Sequence, residues 1–440
     1  MLTASLIAAA LIGAPFSPRA IVPVASTDVA IAVKPAAFNP TATQRRHTAG
    51  ITVTPAVAGT LTVVVESGAG RTVATLVDRR PVAAGSTVRA TWSGAGAADG
   101  TYGVHVQLVP AAGAPADAVA PVVVDTHRPR VVLATLHPSN TASGPVAVRV
   151  ALGDLSGVAR TDLAVASQVG VPIGRQPLEV AADGRSASLR WNLRLRSRLL
   201  LPGVFRVVAR AVDGAGNVGL SHTRIVRVRR PVKARVIYSV PDAGRVVALT
   251  FDDCFDGASM LRIVRAFKAA GAHTTFFCNG VNIAGNASAM RAAVAAGDTI
   301  GSHTWSHPQM PRLPLEEQVS QIQGDVDRWW QIDRVSPSPF FRPPYGLFNS
   351  TTVAAAGRAG FRWIVLWDVD PSDYLSPAPS VIVQHVASHV RRGSIVVMHC
   401  EPHTAAAASD LIAAVRARGL RPVSLAEMLG RSAYLSGPSG

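Results

Sequence analysis

The stretch Thr250-Phe251-Asp252-Asp253 decides how the second half of this chain is interpreted. It follows the apolar run Val-Val-Ala-Leu at 246–249, which is typical of a buried strand. Two adjacent carboxylates at the end of such a strand are costly to place unless they bind something. We therefore expect a ligand site at the point where this strand ends.

Four more groups of chemically capable residues follow along the chain. They are His303-Thr304-Trp305-Ser306-His307, Arg342-Pro343-Pro344-Tyr345, Asp370-Pro371-Ser372-Asp373-Tyr374 and Val397-Met398-His399. One Asp with two His residues is a common ligand set for a catalytic divalent metal that keeps open positions. The other groups are of the types that serve as base, acid and oxyanion donors around such a metal.

Helix and strand patterns alternate from about residue 240 onward. A helical run stops at a glycine and an apolar strand follows, a succession seen at Gly271, Gly297, Gly360, Gly393 and Gly419. Glycine is the favoured residue just past a helix, and repeated helix-to-strand alternation implies a parallel sheet or barrel. Chemistry in such folds lies at the carboxyl ends of the strands, so the pattern predicts one shared site.

The first half of the chain consists of short alternating runs that are broken by glycine and proline. Turn signals at a spacing of roughly 8–12 residues predict β-sandwiches. The segment 91–102, with Thr-Trp-Ser-Gly and Asp-Gly-Thr-Tyr, resembles the Ig-like module named after the flagellar hook-capping protein. The segment 211–217 resembles bacterial Ig-like or fibronectin-like repeats. Neither unit shows a cluster of titratable groups, so we interpret both as spacer or docking modules.

A chain of 440 residues is too long for one ordinary domain. The expected fold is multidomain, with two N-terminal all-β Ig-like sandwiches followed by a C-terminal distorted (β/α) barrel. The predicted segments are a signal segment (1–25), a hook-capping-type Ig-like sandwich (26–127), a second Ig-like sandwich (128–230), a linker (231–240), a catalytic domain (241–432) and a C-terminal tail (433–440).

Composition and the first residues bear on location and partners. Residues 2–16 form an uncharged apolar run that resembles the core of a secretory signal, although no Lys or Arg precedes it. An apolar N-terminal strand is the alternative, and no later run is long enough for a transmembrane helix. The net charge of +16 favours a polyanion such as an anionic cell wall. No nucleic-acid motif is present, so we expect no specific nucleic-acid partner.

The five motifs at 250–253, 303–307, 342–345, 370–374 and 397–399 stand in one recognisable order. Through them, residues 240 to 432 resemble the NodB-homology polysaccharide deacetylases, carbohydrate esterase family four. The resemblance implies a secreted or wall-associated enzyme that removes N-acetyl groups from an amino-sugar polysaccharide. Peptidoglycan is the first choice of substrate and chitin-like oligomers the second. A polysaccharide O-acetyl esterase and a non-catalytic wall-binding protein with a degenerate domain are the alternatives.

The resemblance assigns the metal ligands, the base and the acid. Asp253, His303 and His307 would hold one divalent metal, with Zn²⁺ as first choice and Co²⁺, Ni²⁺ or Mn²⁺ as alternatives. Histidines at i and i+4 share one face of a helix and can also meet a metal from a tight loop. Asp252 would be the general base. His399 would be the general acid, because an amine leaves poorly unless it is protonated.

The resemblance also implies supporting residues. Arg342 would orient the base, and Asp373 would hold that arginine through a directional ion pair. The backbone N–H of Tyr345 would help to bind the oxyanion. The acetyl pocket would be lined by Trp367, Tyr374 and Val397. The sequence departs from the family where it has Cys254 for Gly, Val397 for Leu and Cys400 for Asp, and none of these changes removes a catalytic group.

The three cysteines, Cys254, Cys278 and Cys400, all fall beside the candidate chemistry. Consecutive strands joined by one helix are usually neighbours, so Cys254 and Cys278 could lie within the roughly 4.4–6.8 Å between Cα atoms that a disulfide needs. A bond between Cys254 and Cys400 is the rival pairing. Three buried thiols, or a thiol as a fourth metal ligand, are the other interpretations.

Overall fold

The computed structural model describes residues 21–43, 47–141 and 144–436. Most of the predicted signal segment (1–25) and the last part of the predicted tail (433–440) lie outside the described residues. Within the described part of the chain, no helix combines the length and apolar character that crossing a bilayer requires.

The first β-rich unit consists of two sheets around one apolar core. Its strands are β1 (Val29–Lys34), β2 (Ala37–Phe38), β3 (Ala49–Pro55), β4 (Gly59–Ser67), β5 (Thr72–Val82), β6 (Val88–Trp92), β7 (Gly100–Pro110) and β8 (Ala116–Val124). One sheet has the order β1-β3-β6 and the other β2-β8-β7-β4-β5. Alternate residues of β3 are buried, as expected for strands with one face on a core. Phe38, Trp92 and Tyr102 pack edge to face in that core.

The second β-rich unit has the same general construction. Its strands are β9 (Arg130–His137), β10 (Asn140–Thr141), β11 (Val146–Gly153), β12 (Val158–Ser167), β13 (Pro172–Pro177), β14 (Glu179–Val180), β15 (Ser186–Trp191), β16 (Arg194–Leu195), β17 (Arg198–Leu199), β18 (Gly203–Asp213), β19 (Val218–Leu220) and β20 (Arg224–Val228). Its sheets have the orders β14-β15-β11-β9 and β10-β20-β18-β12-β13, with β19 on β18 and a β16-β17 hairpin. The prediction of an N-terminal β-sheet region is confirmed.

The rest of the chain alternates strands and helices. The strands are β21 (Arg235–Ile237), β22 (Val246–Asp253), β23 (Thr275–Cys278), β24 (Thr299–Ser302), β25 (Phe340–Phe341), β26 (Trp363–Val365), β27 (Ile395–His399) and β28 (Arg421–Pro422). The helices are α1 (Gly257–Ala269), α2 (Gly280–Gly285), α3 (Ala287–Ala296), α4 (Leu315–Asp333), α5 (Ser350–Arg358), α6 (Pro379–His389), α7 (Pro402–Ala417) and α8 (Leu425–Leu429). The strands form one parallel sheet of order β21-β26-β25-β24-β23-β22-β27, with β28 on β22.

This sheet is a half-barrel rather than a closed barrel. Among the described residues its end strands β21 and β27 do not pair with each other as strands. Isolated bridges lie nearby: Ser239, after β21, bridges Ser394, and Val369, after β26, bridges Val396 of β27. The central strand β22 is buried along nearly its whole length, as a parallel strand covered on both faces must be. The predicted parallel β/α fold is therefore confirmed in an open form.

The five glycines predicted to stop helices all have positive φ angles. The values are 59° at Gly271, 87° at Gly297, 90° at Gly360, 76° at Gly393 and 68° at Gly419. A residue with a Cβ is strained in this left-handed conformation. Gly271, Gly297, Gly360 and Gly419 follow the ends of their helices within two residues and turn the chain toward the next strand. The predicted stop at Gly393 is corrected, because α6 already ends at His389 with Val390 as its cap.

The segments predicted as linker and tail take part in the fold. Within 231–240, Arg235–Ile237 forms β21 and pairs in parallel with Trp363–Val365, so the linker prediction is corrected there. Without β21, the backbone groups along this edge of β26 would have no partner strand. In the tail, Tyr434 is buried against Phe205 and Phe340, with ring centroids 6.1 and 6.4 Å away. The tail thus joins the second β-rich unit to the half-barrel.

The N-terminal units do carry a cluster of titratable groups, contrary to the prediction. Asp125, Asp154 and Asp213 place carboxylate oxygens within 4.8 Å of one another. Burial raises the pKa of Asp154 to about 6, with the charges of the other two adding to the effect. Asp154 and Asp213 belong to the second unit and Asp125 follows β8 of the first, so the cluster forms where the two units meet.

Candidate active site

The carboxyl ends of five neighbouring strands, β25, β24, β23, β22 and β27, gather the predicted residues. Asp252 and Asp253 end β22, and His399 ends β27 in register with Asp252. His303 directly follows β24, and Arg342 directly follows β25. Parallel strands place their carboxyl ends on one side of a sheet, which is why motifs far apart in sequence meet here.

The three predicted metal ligands form a compact donor set. The Oδ1 atom of Asp253 lies 3.6 Å from Nε2 of His303 and 3.5 Å from Nε2 of His307. Two ligands of a tetrahedral ion at about 2.0–2.2 Å are about 3.4 Å apart, so the spacing fits a cation such as Zn²⁺. Nδ1 of His303 lies 2.7 Å from the carbonyl oxygen of Arg342, which leaves its Nε2 facing the site.

The electrostatics of this donor set also suit a cation. Burial lowers the pKa of His303 and of His307, which favours the neutral imidazoles that a metal requires. Burial raises the pKa of Asp253, against the opposing charge of His303. A bound cation would offset the cost of burying this carboxylate.

Backbone strain is concentrated at the same place. Asp253, His307 and Tyr345 have φ angles of 65°, 62° and 61°. Such left-handed conformations cost about 1–3 kcal/mol each for residues with a Cβ and persist where the surroundings enforce them. His303 and His307 approach each other from a tight loop and not from one face of a helix. The ring centroids of Tyr345 and His307 are 4.5 Å apart.

Arg342 and Asp252 form a buried pair behind the donor set. Nη1 of Arg342 donates to Oδ1 of Asp252 at 2.7 Å and lies 2.8 Å from Oγ1 of Thr250. Its Nε donates to the carbonyl oxygen of Val365 at 3.0 Å. The guanidinium is completely buried and is fixed by these partners. The orientation of the Asp252 carboxylate is therefore set by the arginine, as the resemblance implied.

Asp373 has a different partner from the predicted one. Its Oδ1 lies 2.8 Å from Nδ1 of His399, and its Oδ2 accepts hydrogen bonds from the backbone N–H of His399 and from Thr404. The predicted pairing with Arg342 is therefore corrected. The short helical turn 373–375 lies beside the end of β27, whereas Arg342 points toward β22.

This partner governs the acid–base behaviour of His399. Burial acts to lower the pKa of His399, but the hydrogen bond to Asp373 and the charges of Asp252 and Asp253 outweigh it. The pKa is raised to about 9, so the imidazole carries a proton at neutral pH. A protonated His399 can donate to a leaving group.

A cavity of about 480 Å³ opens above these groups. The four residues predicted to bind substrate all line it: Tyr345, Trp367, Tyr374 and Val397. Asp370, which belongs to the motif at 370–374 but had no assigned role, and Glu401, which the sequence analysis did not name, line it as well. Glu401 stands two residues after His399, a position that follows a strand end and could have drawn attention to it.

Two of the three cysteines form a disulfide bond, and the third has a free thiol. Cys254 and Cys278 form a disulfide with their Cα atoms 5.0 Å apart, across the neighbouring strands β22 and β23. Cys400 is a buried free cysteine, and burial raises the pKa of its thiol well above the usual value. The structure therefore has the Cys254–Cys278 bond in place of the rival Cys254–Cys400 bond, and no cysteine belongs to the candidate donor sets among the described residues.

Comparison with known proteins agrees with this arrangement. Residues 239–364 match the Polysaccharide deacetylase family. The chain is 30% identical over 186 residues to the peptidoglycan-N-acetylmuramic acid deacetylase PdaC of Bacillus subtilis. The aligned region covers 42% of this chain and 38% of that protein. It is 27% identical over 202 residues to a peptidoglycan-N-acetylglucosamine deacetylase of Bacillus cereus, and that alignment covers 44% of this chain and 92% of that protein.

Solved structures include a similar protein too. The family 4 carbohydrate esterase from Streptomyces lividans, in complex with acetate, is 30% identical, with a TM-score of 0.39 over 44% of this chain and 98% of that one. The C-terminal part of the chain is a polysaccharide deacetylase domain of carbohydrate esterase family four. The β-rich units before residue 239 lie outside the part matched by the family.

Proposed function

We propose that this protein hydrolyses N-acetyl groups of an amino-sugar polysaccharide, with peptidoglycan as the first choice and chitin-like oligomers as the second. One observation carries the proposal: a three-residue donor set, an oriented carboxylate and a protonated imidazole share one cavity. Amide hydrolysis needs these functions together. A non-catalytic domain would have no use for the complete set.

The metal site is proposed to consist of Asp253, His303 and His307, with Zn²⁺ as the first choice. With a divalent cation held there, the site would supply a water molecule of lowered pKa and a polarised amide carbonyl. The protein's part is to present one carboxylate oxygen and two Nε2 atoms at spacings of 3.5 and 3.6 Å. The hydrogen bond from His303 to the carbonyl oxygen of Arg342 keeps one imidazole in the required tautomer.

Proton transfer is assigned to two residues with different partners. Asp252, oriented by Arg342, accepts the proton of the attacking water. His399, kept protonated by Asp373, donates a proton to the departing amine, which otherwise leaves poorly. The backbone N–H of Tyr345 is proposed to stabilise the developing oxyanion.

The surroundings of the site support a carbohydrate substrate at an extracytoplasmic location. Trp367 and Tyr374 provide aromatic walls for an acetyl group, and two of the relatives are named for peptidoglycan. The net charge of +16 suits an anionic wall, and a disulfide persists in oxidising compartments. We propose secretion through a signal in 1–25 and Ig-like modules at 26–127 and 128–230 ahead of the catalytic domain at 241–432.

Acetate release tests this proposal directly. The substrates are N-acetylglucosamine oligomers, purified peptidoglycan and an O-acetylated xylan, each with and without a chelator. We expect chelator-sensitive release from the N-acetylated substrates. Release from the xylan alone would make the protein an O-acetyl esterase, and no release from any of them by metal-loaded enzyme would contradict the catalytic assignment.

A further inference from the structure

A second cavity lies between the second β-rich unit and the half-barrel, away from the candidate active site. It has a volume of about 230 Å³, and we call it the seam cavity. Its charged lining residues are Arg227, Arg229, Arg230 and Arg358, which come from β20, from the segment after it and from α5. None of the described residues that line it is acidic. Four arginines around a small cavity create a positive potential that favours the binding of an anion.

The guanidinium of Arg227 stacks on Trp330 and keeps one hydrogen-bond donor unpaired among the described residues. The residue is 5% exposed, and its guanidinium carbon lies 4.3 Å from the ring centroid of Trp330. Stacking on an indole fixes the plane of the guanidinium and leaves its edge available for hydrogen bonds. The buried Nη2 atom has no hydrogen-bond partner among the described residues. Burial lowers the pKa of Arg227, and the charge of Asp327 acts in the opposite direction.

Arg230, which also lines the seam cavity, likewise has donor atoms without a hydrogen-bond partner among the described residues. Its Nε and Nη2 atoms are buried without a hydrogen-bond partner in the described chain. Burial lowers its pKa, and the positive charge of Arg194 adds to the effect. Arg358, in contrast, donates to Glu316 at 2.6 Å. Arg229 is exposed to solvent, so the buried and uncompensated charge of the cavity belongs to Arg227 and Arg230.

The polar neighbours do not supply the missing acceptors. Nε2 of Gln323 donates to the carbonyl oxygen of Ala359, and Oγ of Ser338 is engaged with the carbonyl oxygens of Pro202 and Gly360. A buried donor without an acceptor is costly, more so when it is charged. The cavity is also smaller than the roughly 300–1,000 Å³ of pockets for drug-sized ligands. Its size and its arginine lining suit a small oxyanion.

We propose that the seam cavity binds a phosphate group, through Arg227 and Arg230. A phosphate monoester carries a charge of about −1.5 to −2 at pH 7 and three acceptor oxygens, so it can accept from both guanidinium groups at once. Free inorganic phosphate has this chemistry, and the phosphodiester of a wall polymer offers a weaker form of it, with one negative charge and two non-bridging oxygens. The proposal is independent of the deacetylase function, since the cavity shares no residue with the candidate active site.

Equilibrium dialysis of the full chain against radiolabelled inorganic phosphate tests the proposal. We expect one saturable site, and an affinity at least about ten-fold lower in Arg227→Gln, since each charge-assisted bond contributes that much or more. Arg224→Gln is the matched control, because Arg224 is an exposed arginine on the same strand. His307→Ala should still bind phosphate, which separates the seam cavity from the candidate metal site.

Several outcomes would overturn the proposal. They are no saturable binding by the wild-type chain, unchanged affinity in Arg227→Gln, or loss of binding in His307→Ala alone. Arg230→Gln, at a half-buried position, serves as the second variant if Arg227→Gln does not fold. Competition by poly(glycerol phosphate) would identify a polymer phosphodiester as the occupant, and its absence would identify the free anion. Equal competition by acetate would contradict a phosphate site.

Discussion

Nη1 of Arg342 lies 2.7 Å from Oδ1 of Asp252, and both side chains are buried. The other carboxylate oxygen, Oδ2, lies 3.8 Å from Nε2 of His303, so it faces the donor set. One oxygen of Asp252 is thus used for orientation and the other is left for chemistry. A carboxylate held in this way is pre-organised to accept a proton from a water in the cavity.

We predict that Asp252→Asn keeps bound metal but loses most turnover. Asparagine retains the shape and can still contact Arg342, but it cannot accept the proton. General base catalysis is typically worth about 10²–10⁴-fold. The measurements are kcat on an N-acetylglucosamine oligomer and metal content by elemental analysis. Near-normal turnover would remove Asp252 from the mechanism.

Replacement of His307 should remove metal and activity together. His307→Ala takes away one of three donors, and the remaining Asp253 and His303 are expected to bind a cation much more weakly. Metal content and acetate release are measured on the same preparation. His389→Ala is the control, since His389 is an exposed histidine on α6. Full activity in metal-free His307→Ala would contradict the metal-dependent mechanism.

The hydrogen bond between Asp373 and His399 should determine the alkaline limb of the pH profile. His399 must be protonated to donate, so kcat/KM should fall as pH rises through its pKa of about 9. Asp373→Asn removes the interaction that raises this pKa, and the limb should move to lower pH. By the same linkage, the interaction stabilises the fold fully below the unfolded pKa and is lost as pH rises through about 9.

The control for this experiment is Asp410→Asn, which changes an exposed aspartate on α7. Its pH profile should match that of the wild type. An unshifted alkaline limb in Asp373→Asn would mean that His399 is not the group that titrates.

The disulfide should contribute substantially to the stability of the half-barrel. Cys254 and Cys278 are 24 residues apart, and closing a loop of that length is worth about 3 kcal/mol in the chain-entropy description. We expect the Cys254→Ser, Cys278→Ser double variant to unfold at lower denaturant concentration. Cys400→Ala is the control for loss of a buried sulfur without loss of a cross-link. Peptide mapping of the non-reduced protein that finds three alkylatable thiols would contradict the pairing.

Much of the half-barrel could be predicted because its signals are local. An apolar run before Asp252, glycines after helices and the spacing of His303 and His307 are all readable within short windows. The disulfide was more difficult, because Cys254 had two candidate partners. Strand order could not decide between them, because β22 lies beside both β23 and β27. Only the placement of the side chains joins Cys254 to Cys278.

The sequence by itself determined an N-terminal β region, a parallel β/α half with chemistry at its strand ends, and the groups from which a site could be built. Periodicity and turn chemistry act over a few residues, so they are legible without the fold. Only the tertiary structure decided the partners: Asp373 with His399 instead of Arg342, and Arg227 on Trp330 beside the unpartnered Arg230. These contacts join residues far apart in sequence, and their geometry depends on how whole elements pack, which no local pattern encodes.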